Sequence, residues 1–271
     1  MADWGGQHLR IGKQDQAFTA IATSDADTIT VRGRDLCRDL IGKVGFTDYF
    51  YFLVTGEMPT EDQRFFTDAC MVAIAEHGLV PSVQAARMTL VAAPEAWQGA
   101  MAAGLLGMGS VVAGSSEVAG KFLVALIAEA RKSGKSLEDA AKAGLERLVA
   151  EKQKVPGLGH PQHATGDPRA NLLLKLADER GVSADHVALL RLLEKHAQAI
   201  TGRRLPINVS GAIPAVMLDV GYPAEAMKGL PLLARAAGLV AHLYEESQRP
   251  IGFIMSNFAD QAIAYDGKPA E

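Results

Sequence analysis

Apolar residues recur at three- and four-residue spacing over Asp35–Ile41, Phe46–Thr55, Glu61–Glu76 and Val83–Ala92, which predicts a series of amphipathic helices. Gly42, Gly45, the Gly56-Glu-Met-Pro59 step, Gly78 and Pro81 separate them. Thr60 and Gln63 have capping-box spacing, so a helix is expected to begin there. Before this series, β-branched pieces at Thr19–Thr23 and Thr28–Val31 predict a small hairpin or an extended arm, followed by a turn at Arg32-Gly33-Arg34. After it, a Gly- and Ala-rich tract at 99–117 leads into an apolar helix over Val118–Ala130. Ser133–Glu151 is amphipathic, with Ser136 as its N-cap. A helix starting at Pro168 runs to about Glu179 with Asp167 as its N-cap, and Ser183–Thr201 follows with Ser183 as the cap. Arg203–Gly211 interrupts the helices, Ile213–Leu218 and Met227–Gln248 resume them, and Arg249-Pro250-Ile-Gly252 opens a non-helical tail. The pattern is all-α, and the lack of strand and helix alternation excludes a Rossmann or TIM-barrel architecture.

Composition narrows the function classes. A chain of 271 residues, 48% hydrophobic and 21% charged, buries a large core and is not disordered. Its net charge of −4 provides no bulk attraction for nucleic acid or an anionic membrane, so an anionic ligand needs local Arg and His residues. Cys37 and Cys70 form no CxxC pair, and no metal site is expected; His163, His186, His196 and His242 have no metal-ligand spacing, and His242 reads as a packing residue of its helix. The first residues lack the order of a signal peptide and no apolar run reaches membrane-spanning length, which makes a cytoplasmic location the expectation. The density of small residues between Gly99 and Gly114 predicts close helix contact, and with it a homodimer.

The segment Val155-Pro-Gly-Leu-Gly-His-Pro-Gln-His-Ala-Thr-Gly-Asp-Pro-Arg-Ala170 carries the chemistry. Its glycines and prolines exclude a helix, and Gly157 and Gly159 expose backbone N–H groups that a ligand can approach. His160 can donate, accept or carry a proton near neutral pH, and the Arg169 guanidinium matches a carboxylate or phosphate.

Four stretches, taken together, resemble the citrate synthase superfamily and within it the citryl-CoA lyase branch. Ile29-Thr-Val-Arg-Gly-Arg-Asp35 with Tyr51-Phe-Leu-Val-Thr-Gly-Glu-Met-Pro59 looks like the family's "YRGYD" and "LLxGxLP" segments. Glu76-His-Gly-Leu-Val-Pro-Ser82 with Ala85-Ala-Arg87 is similar to its "DHG" helix end, and Gly157-Leu-Gly-His160 followed by Asp167-Pro-Arg169 is the most specific match. Arg235-Ala-Ala-Gly-Leu-Val-Ala-His-Leu-Tyr-Glu245, then Arg249-Pro250, resembles the "RxxGxxAHxxE" helix.

The resemblance implies an all-α, citrate-synthase-like fold with a large domain (1–117 and 230–271) and an inserted small domain (118–229). It implies a homodimer or higher homo-oligomer whose site is completed by the other subunit. The chemistry implied is metal-free joining or cleavage of a carbon–carbon bond between an acyl-CoA such as acetyl-CoA and a keto acid such as oxaloacetate. His77, His160 and Ser210 match catalytic positions; Arg169, Arg235, Arg249 and Arg87 match substrate-binding ones; Val155, Gly157, Leu158, Gly159, His160 and His163 match the coenzyme A cradle. There are two departures. Val112 stands where synthases carry a further His, as in the lyase branch, and Asn208-Val-Ser-Gly211 replaces the branch's Asn-Val-Asp-Gly. Serine is neutral at pH 7 and takes no carbon-bound proton without an adjacent base. The alternatives to a citryl-CoA enzyme are therefore a coenzyme A-binding subunit with altered catalysis and an enzyme for another 3-hydroxyacyl-CoA.

Overall fold

The computed structural model describes residues 17–109, 114–159 and 166–268. They divide into two compact units, one ending at Pro59 and the other starting at Thr60.

In the first unit, β1 (Ala22–Ser24), β2 (Ile29–Val31) and β3 (Arg34–Asp35) form an antiparallel sheet in that order, with Thr23 opposite Thr30. The hairpin expected here therefore gains a third strand. Asp25 shapes the first turn by accepting the N–H groups of Asp27 and Thr28. Arg32 and Gly33 shape the second, both with positive φ, and the Arg32 guanidinium donates to the Leu53 and Val54 carbonyls. Asp35 caps a π-helical turn at Leu36–Leu40, and α1 (Phe46–Thr55) closes on Gly56. Val31, Leu40 and Phe52 form the core of this unit.

The second unit is helical. It contains α2 (Glu61–Ala75), α3 (Pro81–Ala92), α4 (Trp97–Leu106), α5 (Ser115–Ser133), α6 (Leu137–Ala150), α7 (Pro168–Glu179), α8 (Asp185–Thr201), α9 (Val209–Asp219), α10 (Gly229–Gln248) and α11 (Gly252–Ala262). Local caps form where the residues call for them. Thr60 and Gln63 make both bonds of the capping box, Ser136 caps α6, and Asp167 caps α7 with Pro168 at the first helical position. One packing group joins α2, α3, α4, α10 and α11; the other joins α5 to α9, with α2 touching α7 and α9 between them.

Three expectations change. The α8 cap is not Ser183, whose hydroxyl donates to Asp178; the Asp219 carboxylate accepts the N–H groups of Ala184, His186 and Val187 instead. The break at 203–211 is shorter than expected, because Asn208 accepts the Gly211 N–H and starts α9 at Val209. Finally, the segment after Pro250 is the helix α11, started by Glu246, whose Oε1 accepts the N–H groups of Ile251 and Gly252.

The small residues of the 99–117 tract also find uses inside the chain. Ala100 and Gly104 are buried, and a Cβ on Gly104 would stand 2.8 Å from a Leu239 methyl group on α10. The opposite side of α4, including Gly99, Ala102 and Leu106, is exposed.

Candidate active site

The Gly-rich loop is tied to the start of α9 by backbone pairing. Asn208 N–H donates to the Gly157 carbonyl at 3.0 Å and Gly159 N–H to the Pro206 carbonyl at 2.7 Å, while Asn208 Nδ2 donates to the Gly159 carbonyl at 2.6 Å. Gly157 has φ +80°, and a Cβ there would lie 2.8 Å from the Gly211 Cα. These two glycines therefore allow two backbones to cross. The expectation that Gly159 offers a free N–H to a ligand is corrected, since Pro206 already receives it. Val155 and Leu158 are buried. His160, His163 and Val112 lie outside the described residues.

Asp167 holds this junction together. It is fully buried, and its carboxylate accepts Arg169 Nε and Nη2, each at 3.0 Å, and the Val209 N–H at 2.9 Å. Burial pushes its pKa up, but the Arg169 guanidinium and the Val209 amide outweigh that and hold the carboxyl below its usual range. Next to Val209, Ser210 accepts a 2.9 Å hydrogen bond from the Ser115 hydroxyl at the start of α5. Pro214 within α9 has no N–H, which leaves the Ser210 carbonyl without the donor a regular helix supplies.

Arg235 on α10 is 6% exposed, and its Nη1 has no hydrogen-bond partner among the described residues. Burial lowers its pKa, the nearby Arg169 charge lowers it further, and Glu76 opposes both. A buried, incompletely bonded guanidinium within electrostatic range of a second guanidinium can accept an anion carrying more than one acceptor. His77 follows Glu76 directly and is partly buried.

Arg87 is held by acidic neighbours inside the protein. It is 2% exposed and donates to Glu246 Oε2 at 2.6 Å and Glu245 Oε2 at 2.7 Å, so its charge is balanced inside the protein. Arg249 is exposed and paired with Glu245. The residues missed from the sequence are Glu76, His242 and Ser115. His242 is not a mere packing residue: Nδ1 lies 3.2 Å from Arg87 Nη1 and Nε2 lies 3.0 Å from Glu76 Oε2. Spacing held a signal for it, because Arg235, Gly238 and His242 follow one another at three and four residues and share a face of α10. Among the described residues no group of three or more His, Cys, Asp or Glu is placed to hold a metal, and no helix is long and apolar enough to cross a membrane.

The family model described as citrate synthase, C-terminal domain, matches residues 63–252. A citrate synthase of Synechocystis sp. is 26% identical over 210 residues, covering 75% of this chain and 50% of that protein. The chain thus spans about half the length of the curated relatives it matches. The structure of citryl-CoA lyase from Hydrogenobacter thermophilus superposes with a TM-score of 0.82 at 29% identity, over 94% of this chain and 96% of that one. ATP citrate lyase from Methanothrix soehngenii, solved with citrate and coenzyme A, shares the fold at a TM-score of 0.74 and 20% identity, over 96% of this chain and 43% of that one. With the family model matching most of the chain, this protein belongs to the citrate synthase family.

Proposed function

We propose that the protein cleaves, or in reverse forms, the carbon–carbon bond of citryl-CoA, with acetyl-CoA and oxaloacetate as the two fragments. The observation that carries this reading is the buried Arg235 guanidinium with an unpartnered Nη1 next to Arg169. A di- or tricarboxylic acid supplies the acceptors it lacks. The similar proteins support the same chemistry: one is a citryl-CoA lyase, and an ATP citrate lyase of Methanosaeta concilii was solved with (3S)-citryl-CoA.

In the cleavage direction the tertiary hydroxyl of citryl-CoA gives up its proton and the adjacent carbon–carbon bond breaks. The carbinol carbon becomes the ketone of oxaloacetate, and the released electron pair forms the enolate of acetyl-CoA, whose carbon then takes a proton. We assign the first proton to His77, with Arg235, Arg169 and Arg249 for the carboxylates. The enolate carbon is assigned to Ser210. Its hydroxyl, a stronger acid than a thioester carbon, gives its proton to the enolate while Ser115 donates to the oxygen left behind, and it takes a proton back from the solvent, to which His77 releases the one it received from the substrate. Coenzyme A is assigned to the loop from Val155 to His163, with His160 at the thioester oxygen. Residues 118–229 are taken as the smaller domain, which brings this loop and α9 to the acid site. A spectrophotometric assay of citryl-CoA cleavage, with calorimetry using citrate and coenzyme A, tests the reading. Turnover with binding of both ligands is expected; absence of either at millimolar ligand excludes it.

The assembly proposed is a homodimer. Phe253, Ile254 and Phe258 stand exposed along α11, and Leu106 at the end of α4 is 86% exposed, which is the apolar surface a partner subunit covers. Light scattering at micromolar concentration is expected to give twice the chain mass of 28.7 kDa. A monomer would remove this part of the proposal.

A further inference from the structure

The acid site is connected to α11 by one continuous line of hydrogen bonds. Glu246 receives the first N–H groups of α11 on one oxygen and Arg87 Nε on the other. Arg87 Nη1 meets His242 Nδ1, His242 Nε2 meets Glu76 Oε2, and Glu76 Oε1 receives the N–H groups of His77 and Gly78. Arginine only donates, so His242 Nδ1 accepts and the ring proton is on Nε2, directed at Glu76. The approach is possible because residue 238 is glycine. A Cβ there would collide with the Ala75 carbonyl oxygen and stand 3.1 Å from Glu76 Oε2, one turn along α10 from Arg235.

We propose that His242 is a positioning residue that holds the Glu76 carboxylate away from Arg235, leaving that guanidinium free for the carboxylate of the ligand. The proposal rests on the reading of Arg235 as the acid-binding residue. Glu76 is the carboxylate that acts electrostatically on Arg235, and its side chain is 49% exposed, so only its hydrogen bonds fix where it points. With Oε2 bound by His242 and Oε1 by the His77–Gly78 turn, both oxygens are occupied, and Arg235 keeps an empty donor. Once released from His242, Oε2 can swing to Arg235 and act as an internal competitor for the ligand. The negative charge then still favours a cationic Arg235 but occupies the ligand's place.

Calorimetry on the full chain separates this role from a structural one. His242→Ala is expected to weaken citrate binding by about 10- to 100-fold, the loss that goes with one charge-assisted contact, and to leave coenzyme A binding unchanged. Adding Glu76→Gln to that variant removes the competing charge and is expected to restore most of the citrate affinity, which no repair of packing would do. His242→Gln, with a donor and an acceptor at its tip, is expected to stay near wild type. Unchanged citrate affinity in His242→Ala, equal weakening of both ligands, or a loss that persists in the double variant overturns the proposal. Should His242→Ala fail to fold, the nitrogen spectrum of the wild-type imidazoles decides: a His242 ring protonated on Nδ1 overturns it. Wild type that binds coenzyme A but no citrate instead overturns the acid-site reading beneath it.

Discussion

Replacing Arg235 by Met is expected to reduce citrate affinity by about 30-fold or more while the protein melts at the same temperature or higher. The two effects have one cause. The guanidinium is almost entirely buried and one of its nitrogens has no partner among the described residues, so in the ligand-free protein it is a desolvated charge without full compensation. An apolar side chain of similar length fills the same space without that cost, and such replacements of buried charges are neutral or stabilising. With ligand bound the balance reverses, since the carboxylate loses a buried charged donor; truncating such a contact costs about 2–5 kcal/mol. Calorimetry beside a thermal melt measures both. A fall in melting temperature together with retained citrate binding would show that Arg235 is a structural ion-pair partner and not the acid-binding group.

Asp167→Asn is expected to give the opposite pattern, a large loss of stability. Asp167 binds the Arg169 side chain and the Val209 N–H, and it is fully buried. The amide has one acceptor oxygen where the carboxylate had two, and its NH2 group faces a donor. Breaking a buried charge pair costs about 3–5 kcal/mol. The low end applies here, because Arg169 retains 22% exposure and reaches water. A loss of about 3 kcal/mol corresponds to a melting temperature lower by roughly 6–12 °C. The pH dependence follows from the direction of the shift. The folded carboxyl is held below its ordinary value, so its contribution is present above the unfolded pKa of about 4 and is lost as pH falls through the folded one. The stability gap between wild type and variant should therefore be constant near neutrality and close below about pH 4. A gap that widened in acid would mean that Asp167 is protonated in the folded protein.

The roles of the arginines show how far the residues alone could be read. Arg87 and Arg235 each occupy an apolar helical stretch, and both matched substrate-binding positions by resemblance. In the structure they differ completely. Arg87 meets Glu245 and Glu246, more than 150 residues along the chain, whereas Arg235 has no carboxylate bonded to it among the described residues. Spacing reveals which residues share a helix face, but it does not reveal what another helix brings against that face. His242 was misread for the same reason, since both of its partners come from other elements.

What the sequence by itself determined is what short-range forces decide. Helix periodicity, the capping box at Thr60 and the caps at Ser136 and Asp167 depend on residues within a few positions of one another, and each motif of the family pattern is itself a short run of adjacent residues. The tertiary structure alone decided the partners. Asp219 caps α8 from 35 residues away, Ser115 meets Ser210 across 95, and Gly157 crosses Gly211 so closely that neither can carry a side chain. A buried polar group takes its role from whatever satisfies it. When that partner lies on another helix, the role exists only once the helices have packed.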